Sequence, residues 1–219
     1  MPSDTRVPTS FIPAPATIRS LFVTEIYQTS FAGTQLDPLI SRVEEACRAL
    51  AAEDKAGQDW SERQGYLGYT SYDSIDDLSA HAPVFAELET LLDVHAAIFA
   101  QILEWDLRGQ PLKMQRSWVN VLRPGGAHSG HIHPHSVISG TIYLAVPEGS
   151  GALQLEDPRH ARMMHAPLRR PNARLDHQPV VGLAPERGTL LMWESWLRHE
   201  VSTNRGAEER ISISFNYNL

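Results

Sequence analysis

The sequence predicts an α+β protein in which a helical first half supports a β-sandwich or jelly roll. Two observations lead to this prediction. Apolar residues recur at helical spacing in the first half, most clearly over 83–105. From Gln115 onward the chain holds short β segments separated by Gly and Pro, the pattern of packed antiparallel sheets. Because 219 residues suffice for one sizeable core, we expect a single domain over 20–219, with a strand and supporting helices over 20–110 and the β core over 115–219.

The amino-terminal residues 1–19 are rich in proline and contain no apolar run. They therefore have the features of neither a signal peptide nor a membrane anchor. We expect a flexible arm here, and a cytoplasmic protein without a membrane-spanning segment.

The first predicted elements are a strand and a helix. The segment Ser20–Gln28 is rich in β-branched and aromatic residues, which favours a strand. Residues 36–54 favour a helix, with Asp37 as its N-cap and Pro38 in its first turn. A loop or short strand is expected over 65–74. The apolar stripe of this helix consists of Leu39, Val43, Cys47 and Leu50.

The helix over 83–105 carries a histidine within its apolar stripe. The stripe includes Phe85, Leu88, Leu91, Leu92, Ile98, Phe99, Ile102 and Leu103. His95 lies among these residues, so we expect it to be a core histidine with a hydrogen-bonded partner.

The second half contains seven predicted β segments. In chain order they are QRSWVNVL, SGTIYLAV, GALQLE, QPVVGLAP, GTLLMWES, HEVS and RISISFNYN. A long loop, Asp157–Pro179, interrupts them and carries five arginines, at positions 159, 162, 169, 170 and 174. We expect a solvated surface loop, and the alternative is an element that receives an anionic substrate.

Charge and cysteine content exclude several classes of function. The chain has 19 Lys and Arg against 26 Asp and Glu, a net charge of −7, which is the wrong sign for binding nucleic acid through its phosphates. Cys47 is the only cysteine, so neither an intrachain disulfide nor a thiolate metal cluster can form.

The stretch AHSGHIHPHS brings four histidines together. In a strand, residues i and i+2 share a face, so His131 and His133 project together while His128 has the opposite parity. Pro134 should end the strand near His133 and leave His135 in a turn. The pair most able to chelate a metal is therefore His131 and His133, and His199 supplies a third ligand from a later segment.

The last segment alternates between polar and apolar residues. Its apolar face consists of Ile211, Ile213, Phe215 and Tyr217, and its polar face of Arg210, Ser212, Ser214 and Asn216. On an ordinary sandwich the polar face meets water. In a barrel with a ligand cavity it points inward, where Arg210 can hold a carboxylate and Ser212 can add a hydrogen bond.

These motifs resemble the 2-oxoglutarate/Fe(II)-dependent oxygenases, whose HxD/E…H triad is followed about ten residues later by a basic residue. The matching elements are HIH at 131–133, RHEV around His199 and ERIS at 209–212. RPGGAHSGHIHP also looks like a loop of the prolyl hydroxylases. HIHPHSVISGTIYL, DPR and ERISISFN resemble a bacterial and phage group of such oxygenases, for which no substrate is assigned.

The resemblance implies a double-stranded β-helix (a jelly roll, cupin-like), with the helices of the amino-terminal half packed on one sheet. It implies Fe(II) held by His131, His133 and His199, and 2-oxoglutarate held by Arg210 and Ser212. Tyr143, together with Asn120 or Arg123, could touch cosubstrate or substrate. No catalytic side chain is expected beyond the metal centre, because metal and cosubstrate carry the chemistry. Trp193 and Trp196 either close the pocket or fill the core.

His133 departs from the family, which usually has Asp or Glu at that position. Two alternatives therefore stay open: a three-histidine dioxygenase or zinc hydrolase on a cupin-like fold without 2-oxoglutarate, and a non-catalytic cupin-like binding protein. Expected partners are molecular oxygen and a small-molecule or peptide substrate, for which the arginine-rich loop suggests an anion. The early helices could support a homodimer.

Overall fold

A computed structural model describes residues 16–219 of the chain. Most of the arm predicted over 1–19 lies outside the described residues, and residues 16–19 are exposed and belong to no helix or strand. Over the described range, no helix has the length and apolarity needed to cross a bilayer.

The described chain contains helices in its first half and strands mainly in its second. The first half holds β1 (Tyr27–Ser30), α1 (Asp37–Glu53), α2 (Lys55–Arg63), β2 (Gly68–Thr70), α3 (Leu78–His81) and α4 (Pro83–Ile102). The second half holds β3 (Lys113–Leu122), β4 (His128–His131), β5 (Ile138–Ala145), β6 (Leu153–Glu156), β7 (Val180–Leu183), β8 (Thr189–Glu194), β9 (His199–Val201) and β10 (Arg210–Asn218).

The strands form two antiparallel sheets. The larger sheet has the order β1-β8-β5-β10-β3-β2, and the smaller one has the order β4-β9-β6-β7. Helices α1 and α4 cover one face of the larger sheet, where they share a hydrophobic core with β3, β5, β8 and β10. A second, smaller apolar cluster joins the two sheets. The predicted mixture of helices and antiparallel sheets, with the helices on one sheet, is confirmed.

The predicted strand Ser20–Gln28 is wrong in its bounds, because β1 begins only at Tyr27. Phe22 has a φ of 58°, a left-handed conformation that an extended strand does not contain. Its neighbours Leu21 and Val23 are largely exposed. The apolar character of this segment therefore does not reflect burial in a sheet.

Asp37 does not cap α1, contrary to the prediction. The N-cap is Leu36, and no side-chain hydrogen bond caps this end. The Asp37 carboxylate instead pairs with Arg187, whose hydrogen bond lowers the pKa of Asp37. The sequence could not reveal this pairing, because the two residues lie 150 positions apart. The four stripe residues of α1 are all buried, as predicted.

The predicted helix over 83–105 ends at Ile102. Ile98 and Ile102, predicted in its stripe, are 39% and 53% exposed, because the buried face follows Leu88, Leu92 and Phe99. His95 has the expected partner: its Nδ1 lies 2.6 Å from the Tyr27 hydroxyl. Burial lowers the pKa of His95.

All seven predicted β segments of the second half form strands, and the loop Asp157–Pro179 is confirmed as an exposed loop with two short 3₁₀ turns. Two of its five arginines pair with carboxylates of the loop itself, Arg159 with Asp157 and Arg174 with Asp176. These pairs reduce the positive charge that the loop presents.

The short helices α2 and α3 were not predicted, because neither has a strong apolar stripe. Asp54 is the N-cap of α2. Its carboxylate accepts a hydrogen bond from the Gly57 backbone N–H at 3.0 Å. The same carboxylate accepts hydrogen bonds from the hydroxyls of Tyr69 (2.8 Å) and Ser74 (2.5 Å). Asp54 thereby joins the start of α2 to β2 and fixes the segment between them, which includes Tyr66.

Replacing Asp54 with Ala should lower the free energy of unfolding by about 2–4 kcal/mol, because a cap is lost and two hydroxyls lose their acceptor. Burial raises the pKa of Asp54, but the hydrogen bonds from Ser74, Gly57 and Tyr69 lower it further, so the net shift is downward. The contribution is therefore complete above the ordinary Asp pKa of about 3.9 and is lost as the pH falls through the lowered value. Urea denaturation at pH 7 and pH 3 measures both effects. The exposed Asp59→Ala is the matched control; equal effects of the two substitutions would contradict the assigned role.

Candidate metal centre

A small cavity of about 50 Å³ lies between the two sheets. Its lining combines a cluster of histidines with aromatic side chains and one arginine. Its titratable lining residues are His128, His131, His133, His199, Tyr143 and Arg210.

Three histidines meet in this cavity. His131 ends β4 and His199 begins β9, and the two residues are direct cross-strand partners. His133 follows two residues later. One ring nitrogen from each of the three lies within 4.8 Å of the others, and the ring centroids are 4.4 to 5.2 Å apart. Three imidazole nitrogens this close together can share one metal ion.

The prediction that His131 and His133 lie together was right, but its geometric basis was wrong. The strand ends at His131 rather than at His133. His133 reaches the cluster from the following turn, where its backbone N–H donates to the Ser195 carbonyl at 3.1 Å. The pairing of β4 with β9 also shifts register between His128 and His131. Strand parity therefore does not separate these side chains, and His128 lines the same cavity.

Backbone carbonyls orient two of the three rings. His131 Nδ1 lies 2.8 Å from the Ser129 carbonyl, and His199 Nδ1 lies 2.9 Å from the Leu197 carbonyl. A carbonyl can only accept, so each Nδ1 carries the proton and each Nε2 keeps its lone pair. This is the usual way in which proteins prepare a histidine to bind a metal.

His133 is held by a side chain instead. Its Nδ1 lies 3.4 Å from the amide of Asn216. Asn216 in turn accepts a hydrogen bond from the Ser139 hydroxyl at 2.8 Å, and that hydroxyl contacts Ser195 at 2.8 Å. All three polar partners are buried. This chain of hydrogen bonds holds the His133 ring in place. Because the amide nitrogen can only donate, Nδ1 accepts in this arrangement, and Nε2 becomes free to bind a metal when the proton moves to Nδ1 and the amide turns its oxygen toward it.

Burial keeps two of the three rings, His133 and His199, uncharged. It lowers the pKa of His133 to about 3 and that of His199 to about 4, and the neighbouring histidines add to the effect. Both rings are therefore neutral at pH 7, the form in which imidazole binds metals.

Arg210 lies in the same cavity without a counter-charge. The residue is 3% exposed. Its Nη1 donates to the Gly151 carbonyl at 2.9 Å, and its guanidinium carbon lies 5.3 Å from the centre of the Tyr143 ring. Its Nε is buried and has no hydrogen-bond partner. Among residues 16–219, no carboxylate forms an ion pair with it. A buried and unpaired guanidinium is costly unless an anion binds to it.

The polar face of β10 points into the protein, as the inward interpretation requires. Ser212 is buried opposite Asn120 and Tyr143. Tyr143 and Asn120 line the cavity. The Asn120 amide accepts a hydrogen bond from the Thr70 hydroxyl and donates one to the Ser214 hydroxyl, both at 3.0 Å. Arg123 lies elsewhere: it is exposed and pairs with Glu209.

The two tryptophans have different positions. Trp193 is buried in the cavity wall, 4.8 Å from the His199 ring, whereas Trp196 is 46% exposed. Sequence reasoning also missed Trp118, which lines the cavity and lies 6.1 Å from the His133 ring. The apolar character of its strand gave no sign that this ring faces a site.

Comparison with known families agrees with these features. Residues 116–216, somewhat less than half of the chain, match the model of a family described as "Putative 2OG-Fe(II) oxygenase". The matched region contains the three histidines and Arg210. The resemblance predicted from the sequence is thereby confirmed over this region, and the match supports an oxygenase of unknown substrate. No curated protein sequence matches the chain.

Several solved structures share the fold at low sequence identity. HygX from Streptomyces hygroscopicus, with nickel, 2-oxoglutarate and hygromycin B bound, is 16% identical with a TM-score of 0.60, over 89% of this chain and 83% of that one. A Pseudomonas putida prolyl-4-hydroxylase is 15% identical with a TM-score of 0.56, over 89% and 88%. The epimerase SnoN, in complex with Fe3+, alpha ketoglutarate and nogalamycin RO, is 15% identical with a TM-score of 0.60, over 89% and 78%.

Proposed function

We propose that this protein, whose carboxy-terminal part matches the 2OG-Fe(II) oxygenases, is a double-stranded β-helix hydroxylase with a three-histidine iron centre. In this proposal His131, His133 and His199 bind Fe(II). Arg210 and Ser212 bind the distal carboxylate of 2-oxoglutarate, and Tyr143 and Asn120 complete the wall around the cosubstrate. The two facing sheets and their antiparallel order support the double-stranded β-helix.

One observation carries the proposal: an unpaired buried cation shares a cavity with three imidazoles close enough to bind one metal ion. In a protein that bound a metal and no carboxylate-containing molecule, the buried Arg210 would stay without a counter-charge, which is unfavourable. A dicarboxylate whose one end reaches the metal and whose other end reaches Arg210 satisfies both groups. Arg210 offers a planar donor array that matches a carboxylate.

The donor set fits iron. Imidazole suits Fe(II), and three protein ligands leave coordination positions open. When bound, Fe(II) and 2-oxoglutarate would activate molecular oxygen, the oxidant, so that one oxygen atom enters a C–H bond of the substrate and the other enters the succinate formed from 2-oxoglutarate with loss of CO2. The residues of this chain hold and orient these groups. The aromatic side chains of Trp118 and Trp193 limit the access of water to the cavity.

The histidine at position 133 favours a second candidate, a three-histidine dioxygenase or zinc enzyme that uses no 2-oxoglutarate. Such an enzyme would not need the unpaired guanidinium of Arg210. The two candidates therefore differ in one measurable property, the binding of 2-oxoglutarate.

We propose a small-molecule substrate. The folds of HygX and SnoN, whose structures hold hygromycin B and nogalamycin RO, support this. An anionic group on the substrate would suit Arg162, Arg169 and Arg170, the loop arginines without a carboxylate partner in the described part of the chain. A homodimer through α4 would cover its exposed Val94, Ile98 and Ile102.

His131→Ala and His199→Ala should each abolish tight metal binding, because each removes a ligand and weakens binding by more than the roughly 10- to 100-fold typical of second-sphere changes. Anaerobic titration of the metal-free protein with Co(II), followed by its visible absorption, measures this. His128→Ala and the exposed His135→Ala are the matched controls and should bind Co(II) as the wild type does. Loss of binding in His135→Ala would show that the three ligands are wrongly assigned.

Anaerobic addition of Fe(II) and then 2-oxoglutarate should produce a weak visible charge-transfer band. Arg210→Ala should weaken 2-oxoglutarate binding by about 10- to 100-fold, since a charge-assisted hydrogen bond contributes about 1.5–3 kcal/mol. Arg123→Ala, which removes an exposed arginine, is the control. If the wild type binds iron without developing the band, the three-histidine enzyme without 2-oxoglutarate replaces this proposal.

Asn216→Ala should lower Co(II) affinity by about 10- to 100-fold, because His133 loses the side chain that orients it. Asn218→Ala removes a half-buried amide that donates to the His135 carbonyl at 3.2 Å and contacts none of the three rings, and it should leave the affinity unchanged. Thermal unfolding of the metal-free variants separates this effect from a loss of stability. Unchanged Co(II) affinity in Asn216→Ala would exclude a role for the amide in positioning the ligand.

A further inference from the structure

A tyrosine contacts a histidine of the cavity wall: His128 lines the cavity together with Arg210, and Tyr66 lies behind it. The Tyr66 hydroxyl lies 2.7 Å from His128 Nε2, and the two rings are in edge-to-face contact with centroids 5.2 Å apart. Tyr66 belongs to the segment between α2 and β2, outside the two facing sheets, and packs against the apolar cluster that joins them. Neither residue is one of the proposed metal ligands or part of the polar face of β10.

The cross-strand register places this pair away from the metal centre. His131 pairs with His199 at one point of β4 and β9, and His128 pairs with Val201 further along. On β10, Asn216 contacts His133, whereas Arg210 begins the strand six residues earlier. His128 and Arg210 are therefore both displaced along their strands from the metal ligands, and both line the cavity.

The hydrogen bond defines which nitrogen of His128 carries the proton. Burial raises the pKa of Tyr66, so its hydroxyl stays protonated and can donate. Burial, together with the nearby Arg210, lowers the pKa of His128 to about 3, so the ring is neutral. A neutral ring that accepts at Nε2 carries its proton on Nδ1. This Nδ1–H has no hydrogen-bond partner in the described part of the protein, and it is a donor that an anion beside Arg210 can use.

We propose that His128, backed by Tyr66, forms the end wall of the 2-oxoglutarate pocket, with His128 Nδ1–H donating a second hydrogen bond to the distal carboxylate and Tyr66 limiting the length of the acid by holding the His128 ring in place. This inference rests on the proposed function and extends it from the binding of a 2-oxo acid to the selection of its length. Both residues act in positioning and specificity, not in the chemical step.

The Tyr66–His128 pair can select the length of the acid because His128 is neutral and Tyr66 is held in place. A neutral donor adds to the positive charge of Arg210 without repelling it. The backbone N–H of Tyr66 donates to the Ser61 carbonyl at 2.9 Å, and its carbonyl accepts from the Gly68 N–H at 2.9 Å, so the ring cannot easily move to admit a longer acid. One extra methylene against such a wall typically weakens binding by about 10- to 200-fold.

The hydrogen bond is tested by titrating Fe(II)-loaded variants with 2-oxoglutarate under anaerobic conditions and following the charge-transfer band. His128→Leu keeps the bulk of the side chain and removes the donor, and should raise the Kd for 2-oxoglutarate about tenfold. His128→Asn offers an amide N–H where Nδ1–H stood, and should restore most of the affinity. The Fe(II) affinity of both variants should equal that of the wild type. Two results would each overturn the proposed hydrogen bond. One is 2-oxoglutarate binding by His128→Leu that is as tight as in the wild type, and the other is binding by His128→Asn that is as weak as in His128→Leu.

The length limit is tested with 2-oxoadipate, which is one methylene longer. Tyr66→Ala should lower the ratio of the Kd for 2-oxoadipate to that for 2-oxoglutarate by about tenfold or more, whereas Tyr66→Phe, which keeps the ring, should lower it much less. An unchanged ratio in Tyr66→Ala overturns the wall. A wild type that binds Fe(II) but neither acid overturns the proposed function as well, so the two failures are distinguishable.

Discussion

The cavity depends on the alternation of side chains along β10. This strand pairs with β3 on one side and with β5 on the other, in the middle of the larger sheet. Its odd-numbered residues from Ile211 to Tyr217 enter the core beneath α1 and α4. Its even-numbered residues, from Arg210 to Asn216, must then face the other sheet. A one-residue slip would expose the guanidinium to the helices and the apolar residues to the cavity, so the register is strongly specified.

The two faces of the larger sheet have different roles in the protein. The helix-covered face is almost entirely apolar, and it supplies most of the burial that stabilises the chain. The other face buries Asn120, Ser139, Arg210 and Ser212, groups that contribute little stability and reduce it when unpaired. A protein can keep such a polar interior only because the apolar layer on the other side compensates for it. The unpaired Nε of Arg210 is the clearest sign that this interior is built for a ligand.

The fold was more predictable from the sequence than the site was. The sequence indicated all of the later strands, but it placed the end of β4 near His133 instead of at His131, because the pairing of β4 with β9 is irregular. Local patterns missed interactions that join distant parts of the chain. Asp37 pairs with Arg187 instead of capping its own helix, and Tyr66 meets His128 across 62 positions. The three histidines could be found because histidine is a common metal ligand and is rare enough for a cluster to stand out. Asn216 and Trp118 were not singled out, because a buried amide and a core tryptophan are common in any sheet.

His133 changes the electrostatics of the site more than its shape. A carboxylate in its place would cancel one of the two charges of a divalent metal, and a neutral imidazole cancels none. With a divalent metal bound and Arg210 nearby, the cavity would carry three positive charges, and within the described residues its lining contains no carboxylate. In a low-dielectric interior such an excess strongly favours the entry of an anion with two negative charges. The loss of the carboxylate ligand is therefore compatible with 2-oxoglutarate: the third histidine weakens the hold on the metal through charge, and it strengthens the attraction for the dicarboxylate that would bind beside it.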